Sequence, residues 1–164
     1  MTIVFNSSPL IFLSRLGLMA KVIETFANDK LYLPTAVADE IAVKSDQTSI
    51  SIRHLIESHR LEVKDIYLFS LANQLKQRLG KGESDAIVLG IELQTDYVIL
   101  DDAAARKEAM RLGLNIKGTL ALIRKLKQDG QITLDNLEEF YQQLIEINFR
   151  VKRKLFEQIF QDLI

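Results

Sequence analysis

The sequence predicts an α/β fold: a three-layer α/β/α arrangement with a central, mostly parallel sheet and a helical C-terminal extension. Three observations predict it. Short apolar, β-rich runs alternate with segments whose apolar residues recur at helical spacing, the pattern of a parallel sheet covered on both faces. Both prolines, Pro9 and Pro34, follow such runs and precede helical patterns. Proline suits a first helical turn because its missing N–H would be unpaired there anyway. After Gly130 the pattern turns wholly helical.

In chain order, residues 2–6 and 31–33 read as strands, each followed by a helix. Residues 36–43 are helical and carry Glu40. Residues 47–52 are polar and read as either a loop or a helix start, and 52–59 as helix. Residues 61–66 alternate apolar and charged side chains and read as a strand. Residues 67–79 repeat apolar residues at helical spacing, and Gly80-Lys81-Gly82 breaks the pattern. Residues 83–94 form a helix with Ile87 and Ile91 on its apolar face. The run "YVIL" at 97–100 is a buried strand ending at Asp101-Asp102. Residues 103–112 are a helix closed by Gly113, 115–117 a short strand, and 118–128 a further helix. Beyond Gly130, Leu134, Leu137, Phe140, Tyr141, Leu144 and Ile145, then Leu155, Phe156, Ile159 and Phe160, fall on helical faces. They predict two helices packing on the rest, with part of that surface available to a dimer or partner contact.

At 164 residues the chain is expected to be a single domain, 1–164, with 131–164 as its extension. There is no cysteine, which removes disulfides, thiolate zinc sites and cysteine nucleophiles and suits a reducing cytoplasm. The net charge of −1 demands neither a nucleic acid nor a membrane. The apolar N-terminus lacks a basic leader and is interrupted by Pro9 and Arg15, so no signal peptide is expected, and no uncharged stretch is long enough to span a bilayer.

The chemistry is concentrated in acids. In a parallel sheet, ligands bind where strands end and helices begin. Asn6 ends the first strand, Asp101-Asp102 end the "YVIL" strand, Glu83 and Asp85 open a helix, and Glu40 lies in the helix after the second strand. Each has a plainer reading. Acids in a first helical turn complement the dipole, either Asp101 or Asp102 can cap the next helix, and Glu40 can face solvent. Taken together those readings weaken, because all these positions can converge on one edge of one sheet. Carboxylates brought close repel, and without a cation some would take up protons. Oxygen donors without Cys or a His cluster suit Mg²⁺ or Mn²⁺ rather than zinc; His54 and His59 sit in a separate helical stretch. Such ions activate water and stabilise a leaving oxygen in phosphodiester cleavage. No G-x-x-x-x-G-K-[ST] or G-x-G-x-x-G motif is present.

The stretches "VFNSSPLIFLSRLG", "LYLPTAVADEI", "GKGESDAIVLGIEL" and "YVILDDAAARKEAMRLGLNIKGTLALI", in that order and spacing, resemble the PIN-domain family. The branch they most resemble is one of nucleases related to the toxins of bacterial toxin–antitoxin pairs. The resemblance implies a parallel sheet between helices with acids at its carboxyl edge, Mg²⁺ or Mn²⁺ held there, and cleavage of RNA. It puts the family's first acid on Asn6, the second on Glu40, the third on Asp85 with Glu83 beside it, and the fourth on Asp102 or Asp101. The implied catalytic residues are Glu40, Asp85 and Asp102; the implied metal ligands are Asn6, Glu40, Glu83, Asp85, Asp101 and Asp102. Ser7, Ser8 and Thr119 fall where small polar residues line the site. The implied partners are RNA, an antitoxin protein and a second copy of the chain, with no membrane. Asn6 departs from the pattern: a neutral amide stands where the family usually has Asp. That favours either a weakened nuclease or a module that keeps the fold and binds RNA or a protein. A different Mg²⁺-dependent phosphoryl enzyme on a similar sheet is the weakest reading.

Overall fold

The structure is a computed structural model that describes residues 1–161. Its five strands are β1 (Thr2–Phe5), β2 (Lys30–Pro34), β3 (Glu62–Lys64), β4 (Tyr97–Ile99) and β5 (Ile116–Lys117), all parallel, in the order β3-β2-β1-β4-β5. The register sets Ile3 opposite both Leu31 and Tyr97. Strand residues alternate faces, as a period of two requires. Ile3, Phe5, Leu31, Leu33 and Ile99 join one buried cluster, and Val4, Tyr32 and Val98 join the other. The two short outer strands leave little unpaired edge.

One face is covered by α1 (Ser7–Arg15), α2 (Met19–Thr25), α3 (Thr35–Val43), α4 (Gln47–Glu57) and α8 (Thr119–Gln128), whose apolar residues share the first cluster. The other is covered by α5 (Phe69–Leu75), α6 (Lys81–Glu92) and α7 (Ala103–Arg111). The expected three layers are therefore present. Successive strands step from β1 to β2 to β3, and the chain then returns to lay β4 on the other side of β1. The order reverses between β1 and β4, and such a reversal opens a crevice beyond the strands' carboxyl ends. Asn6 and Asp101-Asp102 stand at that crevice.

Several boundaries differ from the sequence expectation. The polar stretch after residue 46 is helix from its start, because the Asp46 carboxylate caps α4 by accepting the Ser49 N–H at 2.8 Å. α4 ends at Glu57, and His59 has a left-handed backbone with φ of 59°. Helix α5 begins only at Phe69, because the N–H groups of Tyr67 and Leu68 both donate to Glu92 Oε1, at 2.5 and 2.7 Å, and hold a loop. The glycines read as a break open α6: Gly80 is its N-cap, and Glu83 reaches back to the Gly80 N–H at 3.2 Å. In the extension, α9 (Leu137–Glu146) and α10 (Arg153–Phe160) pack through Phe140, Phe156 and Phe160, whose rings lie 5.0–5.8 Å apart. These rings belong to the same cluster as α1 and α8. Residues 162–164 of that extension lie outside the described residues. Among the described residues no helix is long and apolar enough to cross a membrane.

Candidate active site

Asn6 is the N-cap of α1, yet its side chain makes no capping bond. A capping oxygen accepts from the second or third helical N–H; the third residue here is Pro9, which has none. The Asn6 side chain is 3% exposed and its Oδ1 is buried without a hydrogen-bond partner. Its backbone is held by the N–H donating to Ile99 O at 3.1 Å. β1 thus delivers a desolvated amide oxygen, open to a further partner, to the edge of the sheet.

Glu40 is drawn to the same place from α3. Its Oε2 accepts the Ser7 hydroxyl at 2.7 Å and its Oε1 accepts the Gly82 N–H at 3.0 Å. One carboxylate thereby ties together the first turns of α1 and α6. The approach requires glycine at 82: a Cβ there would lie 2.4 Å from Glu40 Oε1. Gly82 is a site residue that sequence reasoning missed. The second glycine of "GKGES" was its signal.

Glu83 and Asp102 complete the rim. Burial pushes the Glu83 carboxyl above the usual carboxylate range; the Gly80 N–H opposes this, and the negative charges of Asp102 and Glu40 add to it. Asp102 is the N-cap of α7 and accepts the Ala105 N–H at 2.9 Å. Glu40 and Asp102 are exposed while Glu83 is half-buried, so the rim is open to solvent above the buried Asn6.

The two neighbouring aspartates part company. Asp101 accepts the Thr119 N–H at 2.8 Å and the Thr119 hydroxyl at 2.6 Å. Gly118, the N-cap of α8, has no side chain to cap with, and Asp101 does that work from across the sheet edge. Burial raises the Asp101 carboxyl, and the Thr119 bonds and the Arg106 charge hold it back. Asp101 and Thr119 therefore brace α8. Asp85 is 6% exposed and turns the other way: it lines a concavity with Thr35, Asp39 and Asp65, and Lys76 Nζ lies 3.5 Å from its Oδ1. That contact has ion-pair distance without hydrogen-bond geometry, so the oxygen still lacks a donor. Ser8 is half-buried in the first turn of α1.

The structure thus links Glu40 to Ser7 and to the start of α6 and sets Glu83 within the charge of Glu40 and Asp102, with Asn6 directly before Ser7, while Asp101 and Thr119 bond each other and Asp85 pairs with Lys76. A family model described as a PIN domain matches residues 2–164. The chain belongs to the PIN-domain family. No curated protein gives a match. A PIN domain is a nuclease-type fold, and PIN domains generally use divalent metal ions and bind RNA. The donors of this PIN domain fit such an ion in kind: carboxylate oxygens beside one desolvated amide oxygen without a donor. Among the described residues no three His, Asp or Glu side chains are closed up around a common point. Instead Glu40, Glu83 and Asp102 each rest on a backbone N–H at a helix start.

Proposed function

We propose that this PIN domain is a metal-dependent ribonuclease that hydrolyses RNA phosphodiesters, with Asn6, Glu40, Glu83 and Asp102 holding the ion. One observation carries the reading: burial, with the neighbouring charges of Asp102 and Glu40, pushes the Glu83 carboxyl above the usual carboxylate range, at a sheet edge where the buried Asn6 Oδ1 also lacks a partner. A divalent cation would relieve both conditions at once. Mg²⁺ or Mn²⁺, when bound, supplies a Lewis acid and a water of lowered pKa. The chain does the rest. Ser7 and Gly82 fix the Glu40 carboxylate. Glu83 and Asp102 stand at helix starts, each accepting a backbone N–H there. The first N–H groups of α1, at Ser7 and Ser8, suit a substrate phosphate. In this reading Glu83 takes the place that the family resemblance assigns to Asp85. A role as the toxin of a toxin–antitoxin pair is the finer part of the proposal; it is supported by the motif resemblance.

Asn6 favours a second reading, a module that binds RNA or a protein without cutting. The test is cleavage of labelled single-stranded RNA with Mn²⁺, beside an EDTA control and Glu83→Gln, Asp102→Asn and Asp85→Asn. The nuclease reading expects metal-dependent cleavage that falls at least a hundredfold in the first two variants and survives in Asp85→Asn. No cleavage of several RNAs by partner-free protein would sink it in favour of the module.

A further inference from the structure

Basic residues collect beside α7, on α8 at Arg124, Lys125 and Lys127, and at Arg150, Lys152, Arg153 and Lys154 in the extension. The first lies on the helix that Asp102 caps. There a groove of about 380 Å³ runs between α7 and the end of α5. Leu75, Leu79 and Ala104 give it an apolar lining, and Arg78, Lys107 and Arg111 stand exposed along it. Ala104, Lys107 and Arg111 recur at helical spacing, so they share one face of α7. That face begins two residues after Asp102, and Leu79 precedes Gly80-Lys81-Gly82-Glu83. One end of the groove therefore opens at the acid rim. At 1.5 Å per residue, Lys107 lies roughly 7 Å and Arg111 roughly 13 Å along the helix from Asp102.

We infer that this groove binds the sugar–phosphate backbone of a single RNA strand and leads it to the acid rim. The inference rests on the ribonuclease reading for the identity of the strand. Three cations face a single carboxylate, Glu108, which sets the sign of the partner. Glu108 is 12% exposed and pairs with both guanidiniums: Arg78 at 3.3 Å and Arg111 through Nε at 3.1 Å and Nη2. It holds the two forks at the groove wall and leaves their outer N–H groups free for phosphate oxygens, which planar guanidiniums bind in pairs. Lys107 supplies a point charge between them. The apolar lining suits the face of a base, as sequence-tolerant binding of single strands requires. These cations add favourable charge along the approach of a substrate that carries a charge on every nucleotide to a rim of three acids.

The test is binding of a labelled single-stranded RNA in EDTA, so that no cleavage occurs, across a series of KCl concentrations. The parent is compared with Arg78→Ala/Lys107→Ala and with the control Arg150→Ala/Lys152→Ala/Lys154→Ala, all checked for an unchanged melting temperature. Single-strand binding loses about 0.7 in the log–log salt slope for each phosphate contact removed. The groove variant is expected to bind at least tenfold more weakly, with a slope shallower by about 1.4, while the control binds like the parent. Should the groove variant lose its fold, Lys107→Gln alone is expected to lower the slope by about 0.7. Affinity that survives in the groove variant and falls in the control would overturn the inference. So would unchanged affinity in both, which would leave the cations to an acidic protein surface, or no affinity in the parent. A parent that binds through the groove but never cleaves retires the nuclease reading alone. A parent that cleaves, with a slope unmoved by the groove variant, retires the groove alone.

Discussion

Glu40 Oε1 accepts the Gly82 N–H at 3.0 Å, across a gap that a single methyl group on Gly82 would close to 2.4 Å. Gly82→Ala therefore sets helix propensity against geometry. Alanine in a helix gains up to about 1 kcal/mol over glycine, and the displaced group is the end of a flexible side chain. The melting temperature is expected to change little. Glu40 must nonetheless swing off Gly82 and Ser7, so Mn²⁺ affinity and RNA cleavage are expected to fall at least tenfold. Calorimetry and Mn²⁺ titration on the same protein separate the two effects. A variant that melts like the parent and binds Mn²⁺ like the parent would show that Glu40 needs no such anchorage.

Asn6→Asp should act in opposite directions with and without metal. The residue is 3% exposed and directly precedes Ser7, which donates to Glu40. A new buried charge there costs stability unless it is paired. In EDTA the variant is expected to melt several degrees lower. Added charge also raises affinity for a hard cation; about tenfold tighter Mn²⁺ binding, or 1.4 kcal/mol, is the expected outcome. Saturating Mn²⁺ should then restore or exceed the parent's melting temperature. Equal Mn²⁺ affinity in parent and variant would mean that residue 6 does not touch the ion.

Much of this architecture was legible in the sequence because its signals are local. The "YVIL" run, the prolines and the apolar periodicities fix strands and helices within a few residues, and alternation makes the sheet parallel. The placement of Asn6, Glu40 and Asp102 was legible because position at a strand end or in a following helix is itself a sequence property. What was not legible depends on direction. Glu83 and Asp85 are two residues apart on one helix and face opposite ways, and nothing in "GKGESDA" says which turns toward Asp102. The bonds of Asp101 to Thr119, a partner 18 residues on whose helix lacks a capping side chain, were hidden too. The late start of α5 was hidden for the same reason, since the acceptor for the Tyr67 and Leu68 N–H groups is Glu92.

Glu83→Gln is expected to stabilise the metal-free protein while impairing its chemistry. The folded carboxyl is raised, so its charged form is disfavoured by folding. The resulting cost is absent below the unfolded value of 4.5 and fully present once the pH exceeds the raised folded value. Glu83 is partly solvated, and screening limits the effect to a fraction of a kcal/mol, about 1–2 °C in melting temperature. At neutral pH in EDTA the variant should melt higher than the parent, and the gap should close as the pH falls below 4.5. With Mn²⁺ the order should reverse, because the parent alone keeps the carboxylate. A variant that melts lower than the parent in EDTA would mean that Glu83 is not strained by its neighbours.

Arg153 ties the start of α10 to the start of α9, donating to both Glu138 oxygens at 2.5 and 2.9 Å while its guanidinium lies 4.5 Å from the Tyr141 ring centre. Those bonds, with a further one from Gln142, hold the Glu138 carboxyl well below its usual value, at about 2. A lowered carboxylate stabilises the fold fully above its unfolded value of 4.5, and that contribution is lost as the pH falls toward the folded value. The pair is solvent-exposed, so its effect is small and weakens with salt. Melting temperatures taken from pH 7 to pH 2 at low ionic strength should therefore fall more steeply in the parent than in Glu138→Gln, with the difference confined to the range below about 4.5. High salt should shrink that difference. Parallel curves in low salt would mean that the Arg153 bridge adds nothing to the packing of Phe140 against Phe156 and Phe160, and that the rings alone hold the two helices together.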